Sequence, residues 1–152
     1  MKPMTNHNVV TTVQKLGDKW SKILRVQDYD VSIKLVPQAN LESNSCLGQC
    51  WVSETKKIAE IKLLDPRYRG DCSESRDDDI ETCLVHEYLH LVLPVHALGI
   101  PWDEKDPRHC AYEQGIDILA QALVGVSRNG QSKRAGKRRR IHRTHALRRR
   151  ND

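Results

Sequence analysis

With 152 residues, 38% of them hydrophobic and 30% charged, the chain can build one domain around a modest core, and it holds no apolar run of membrane-spanning length. The net charge of +5 hides an asymmetry: residues 127–152 carry eleven Lys/Arg against Asp152, a net +10, whereas residues 1–126 carry fourteen Lys/Arg against nineteen Asp/Glu, a net −5. An acidic folded body (1–126) with a basic tail (127–152) is therefore expected, and a membrane protein is not.

The opening stretch MKPMTNHNVV has no apolar secretory core. Five cysteines (46, 50, 72, 83 and 110) cannot all pair within one chain, so reduced thiols in a cytoplasmic compartment are expected. Residues 5–26 place Val9, Val13, Leu16, Trp20, Ile23 and Leu24 at helical spacing, with Gly17 weakening the helix slightly. Residues 29–36 alternate as a half-buried strand, with Val31, Ile33 and Leu35 on one face. Residues 47–53 and 57–64 read as two more strands, joined by a turn at 53–56 that makes this pair antiparallel. A polar loop, 67–77, leads to a second helix capped by Ser75 or Asp77, with Asp78, Asp79 and Glu81 in its first turn where the dipole favours acids. That helix must stop before Pro94, which lacks a donor and pushes Leu93 out of helical geometry. A last helix over 108–126 carries Tyr112, Ile116, Leu119, Ala120 and Leu123 at core spacing. The expected fold is α+β: an N-terminal helix, a small, mainly antiparallel three-stranded sheet, a central helix and a C-terminal helix.

Within the central helix lies His86-Glu87-Tyr88-Leu89-His90. Histidines four apart share one helical face, so both imidazoles can reach one ion, and the glutamate after the first can hold and deprotonate a water in the ion's open position. Zn2+ suits this pattern, lowering the water's pKa and polarising a carbonyl. The flanks, Cys83-Leu84-Val85 and Leu91-Val92-Leu93, are apolar nearly all round, so the helix should be buried, and two His and a Glu buried without partners would be expensive.

A catalytic zinc takes three protein ligands. Glu113, early in the last helix, and His96, just beyond the motif, compete for the third place. Glu113 is preferred, because Leu93 before Pro94 resists the sharp reversal that would bring His96 back, and because Asp117, one turn on, can orient a ligand histidine. His109 and Tyr112, within a turn of Glu113, can each donate to a substrate oxyanion.

HEYLH followed by YEQGIDILAQALV resembles the gluzincin zinc peptidases in minimal form, as in ImmA/IrrE-type peptidases and small phage metallopeptidases. The resemblance covers roughly residues 5–126. It implies a zincin-like fold, metal binding by His86, His90 and Glu113, Glu87 as general base, and a peptide substrate along the sheet's edge strand. The proline after the motif and the nearby His96 are similar instead to the SprT-like, DNA-associated proteases, whose third ligand is histidine.

Cys46 and Cys50 are too loosely spaced for a second metal site, and the other thiols are scattered, Cys83 lying one turn before His86. The tail, with Lys137-Arg138-Arg139-Arg140 and Arg148-Arg149-Arg150, has the charge to contact nucleic-acid phosphates nonspecifically but no aromatics to stack on bases. Its few large aliphatics, Ile141 and Leu147, predict disorder in isolation.

Overall fold

The structure, a computed structural model, describes residues 6–42, 47–68, 79–103 and 105–148, giving the backbone alone for 6, 7 and 131–148. The elements run α1 (Asn6–Ile23), β1 (Asp30–Val36), β2 (Gly48–Ser53), β3 (Ile58–Leu64), α2 (Ile80–Val92) and α3 (Pro107–Arg148), with short 3-10 turns at Gln38–Asn40 and Pro66–Tyr68. This is an α+β arrangement of three helices and one small sheet. No described helix is long and apolar enough to cross a membrane. The chain divides into two compact units between Ala120 and Gln121, inside α3.

Strand β3 occupies the centre of the sheet, in the order β1-β3-β2. Its Ala59, Ile61 and Leu63 are wholly buried, as period-two alternation requires of a strand covered on one face. β2 pairs antiparallel with it, from Gly48 opposite Leu63 to Ser53 opposite Ile58, which is the expected hairpin. β1, however, runs parallel to β3, from Asp30 opposite Ile58 to Val36 opposite Leu64. The sheet is thus mixed rather than mainly antiparallel. Alternation reports which face a strand buries, not which neighbour it pairs with, so β1's direction was not written in its pattern.

Helix α1 buries Val9, Val13 and Trp20, while Ile23, expected in the core, is exposed at the helix end. Gly17 has a packing reason: a β-carbon there would overlap Ile33 Cδ1 of β1 and lie 3.5 Å from Tyr88 Oη of α2. Tyr88 donates to the Gly17 carbonyl at 3.3 Å, so the glycine lets α1 approach its neighbours closely. Glu81 ties α2 to α1 by accepting from Lys19 Nζ at 2.7 Å and from the indole Nε1 of the buried Trp20 at 2.9 Å.

Asp79 caps α2, its side chain accepting from Glu81 N at 3.3 Å. Ser75 and Asp77, expected at the cap, fall outside the described residues, as do Cys46 and Cys72. Leu93 ends the helix with φ −125° and ψ 65°, before Pro94. On α3, Tyr112, Ile116 and Ala120 are buried, but Leu119 is exposed. The helix does not stop near Val126; it continues through Arg148. Lys and Arg dominate this stretch and are good helix formers, so a composition too poor in apolar groups to build a core still allows helical backbone.

Candidate metal centre

The site is built from one face of α2 and one face of α3. On α2 the four-residue spacing aligns His86 and His90, with their Nε2 atoms 3.2 Å apart. Glu113 of α3 completes the group: its Oε2 lies 3.3 Å from His86 Nε2 and 3.8 Å from His90 Nε2. Tetrahedral zinc with ligand bonds of about 2.0–2.1 Å separates its ligand atoms by roughly 3.3 Å. The three donor atoms already form a triangle of that size, and their chemistry, two imidazole nitrogens and one carboxylate oxygen, suits zinc. The residues present therefore fit the ion.

Both imidazoles are held from behind. His86 Nδ1–H donates to Asp117 Oδ1 at 2.8 Å. His90 Nδ1–H donates to Tyr112 Oη at 3.0 Å, and that hydroxyl donates onward to the Leu93 carbonyl at 2.6 Å. With both Nδ1 atoms committed, the two Nε2 atoms face the shared centre, which is the ring orientation that ligation needs. Pro94 has a part in this. By stopping α2, it leaves the Leu93 carbonyl without a helical donor, and Tyr112 supplies one.

The charges follow from this packing. Burial works against a charged His86, but its hydrogen bond to Glu113 and the charges of Glu87 and Asp117 outweigh it, and its pKa rises to about 9. His90 drops to about 4, by burial first and then by the positive fields of His86 and His109, against the pull of Glu113 and Asp117. Glu113 is held below the usual carboxylate range: burial opposes this, but its hydrogen bond to His86 and the charges of the surrounding histidines prevail. Burial lifts Tyr112 to about 12, helped by Glu113, and so keeps the phenolic proton that bonds Leu93.

Glu87 lies against Gly48 of β2 and is 5% exposed. A β-carbon at Gly48 would overlap Glu87 Oε1 and lie 3.0 Å from its Cδ and Cγ, so only glycine leaves the carboxylate its place. Burial, reinforced by Glu113 and Asp117 and opposed by His86, pushes the Glu87 carboxyl up to about 7. The Gly48 contact escapes sequence reading, because strand alternation does not say which carboxylate will lie against a glycine. Cys50, two residues along the same strand face, carries the thiol that senses Glu87; burial and then that charge push it up to about 12, so it stays protonated. Among the described residues, Cys50, Cys83 and Cys110 form no disulfide.

His96 does not join the group. It is exposed and pairs through Nε2 with Glu54 Oε2 at 3.1 Å, beside the hairpin turn. Tyr112 and His109, which the sequence offers as oxyanion donors, both have partners within the site. The Tyr112 proton goes to Leu93, and His109 is buried with its Nε2 turned to Glu113.

No family model matches the chain, and no curated protein or solved structure matches it.

Proposed function

We propose that the chain is a zinc-dependent peptidase of the gluzincin type, with His86, His90 and Glu113 holding the ion and Glu87 as general base. The observation that carries this reading is the triangle of three donor atoms, 3.2, 3.3 and 3.8 Å on its sides, with both histidine Nδ1 atoms committed behind it. Zinc bound there would lower the pKa of a water and polarise a substrate carbonyl. Glu87, one residue from a ligand and shielded from solvent, takes the proton of the attacking water and returns it to the leaving amine. Asp117 and Tyr112 hold the imidazoles in register throughout. β2 supports a peptide as substrate: it lies at the sheet edge, with no further strand beside it among the described residues, and its Gly48 abuts Glu87. An extended chain can add to such an edge through main-chain hydrogen bonds.

The test is metal content followed by one substitution. Wild type should purify with about one zinc per chain, as three ligands and an open position imply, and cleave members of a peptide or denatured-protein library. Glu87→Gln should keep the zinc and lose hydrolysis. Zinc-loaded wild type that cleaves nothing would overturn the peptidase reading. Glu113→Ala should weaken zinc binding far more than His96→Ala, and the reverse would favour the SprT-like arrangement.

A second reading is favoured by the helical continuation of α3 through the basic segment. Here the body is structural or regulatory, and residues 127–152 tether it to nucleic-acid phosphates. Removing those residues should then abolish salt-sensitive binding to duplex DNA. Unchanged binding excludes the tether.

A further inference from the structure

Helix α3 brings His109, Tyr112, Glu113 and Asp117 to one face, at intervals of three, four and eight residues from the first. Asp117 orients His86 and Tyr112 orients His90. The remaining member, His109, faces the remaining candidate ligand. Its Nε2 lies 3.7 Å from Glu113 Oε1, the oxygen not turned to the histidine pair. A His–Glu pair four apart on a helix is ordinary at a surface. Here the histidine is buried: His109 is only 6% exposed, with Trp102 edge-on at 5.4 Å between ring centroids and Tyr112 on another side at 6.2 Å.

The other nitrogen of this ring makes the case. His109 Nδ1 is buried with no hydrogen-bond partner among the described residues. A buried polar atom left unsatisfied costs about 1–3 kcal/mol. An apolar side chain would fill the space beside Trp102 and Tyr112 without that cost. What histidine adds there is Nε2, aimed at Glu113.

We infer that His109 is the positioning residue of Glu113, engaging Oε1 so that Oε2 alone faces the two imidazoles. A carboxylate free to rotate can offer both oxygens to an ion and fill the position that water and substrate need. A carboxylate held at Oε1 offers one. In this arrangement each of the three ligands has its own partner on α3, and the open position is kept by His109. The inference rests on the zinc reading proposed above.

The experiment compares wild type, His109→Phe and His109→Gln by zinc affinity, measured by chelator competition, and by the visible spectrum after loading with Co2+. Wild type should show the intense absorption of four-coordinate Co2+. Phenylalanine fills the space without a donor, so zinc affinity should fall roughly 10–100-fold and the cobalt absorption should weaken toward a five-coordinate spectrum. Glutamine, with an N–H to offer Oε1, should recover most of both. If phenylalanine does not fold, His109→Leu against His109→Gln makes the same comparison. A folded, donor-less variant with wild-type affinity and spectrum overturns the inference, and so does a glutamine variant no better than the donor-less one. Wild type that binds neither Zn2+ nor Co2+ instead overturns the zinc reading itself.

Discussion

His90 and Tyr112 are joined through Nδ1 and the phenolic oxygen at 3.0 Å, and the same hydroxyl reaches the carbonyl of Leu93 at 2.6 Å. One oxygen thus orients a proposed ligand and closes the end of the helix that carries it. Tyr112→Phe removes that oxygen and little else. Zinc affinity should fall roughly 10–100-fold, the usual effect of losing a group that orients a ligand. The Leu93 carbonyl also loses its donor, so a modest loss of thermal stability should accompany it. Chelator competition and a melting curve read the two effects. Unchanged zinc affinity would show that Tyr112 does not set His90.

Much of this site is legible in the sequence for a geometric reason. Residues four apart on a helix must share a face, so the alignment of His86 with His90, and of Glu113 with Asp117, follows once the helices are placed. Pro94 marks the end of α2 as surely. What stays hidden depends on contacts between elements. Tyr112 reads as a core residue or an oxyanion donor until the stopped helix leaves the Leu93 carbonyl beside it. Gly17 reads as a weak point until Ile33 and Tyr88 close on it. The parallel pairing of β1 with β3 has no signature in β1's alternation, and helical backbone in the tail follows from propensity rather than from an apolar face.

Glu81 binds α1 to α2 at the opposite end of α2 from the candidate metal centre. It accepts from the Trp20 indole and from Lys19, and both the Trp20 ring and the Glu81 carboxylate are buried. Glu81→Ala would strand the indole N–H, for a loss of about 1–3 kcal/mol in a urea or guanidinium titration. Glu81→Gln keeps an acceptor for Trp20 and should lose less. Equal losses in the two variants would mean that the Lys19 ion pair, rather than the indole, carries the energy.

Gly48 is expected to separate catalysis from metal binding. Its φ is not left-handed, so alanine fits the backbone, and the harm comes only from the overlap with Glu87. Glu87 is enclosed and must shift to make room. A displacement of this kind at a reacting group costs on the order of 100-fold in rate. Gly48→Ala should therefore keep its full zinc content while peptide hydrolysis falls about that far. A variant that loses zinc instead would place the strain on the ligands rather than on the base.

Metal binding should compete with a proton, and its sign follows from the two imidazoles. His86, raised to about 9, is protonated at neutral pH, whereas His90, lowered to about 4, is neutral. Zinc needs both Nε2 lone pairs, so only His86 must lose a proton, and loading at pH 7 should release about one proton per ion. Apparent affinity should then rise with pH, by about tenfold per unit between about pH 4 and 9, and level off above it. Glu87, pushed up to about 7, can add a fraction of a proton near neutrality if the bound cation drives its ionisation. Calorimetry in two buffers of different ionisation enthalpy counts the protons directly. A release near zero at pH 7 would mean that His86 is already neutral, and that the proton between the histidines and Glu113 does not occupy the place the ion would take.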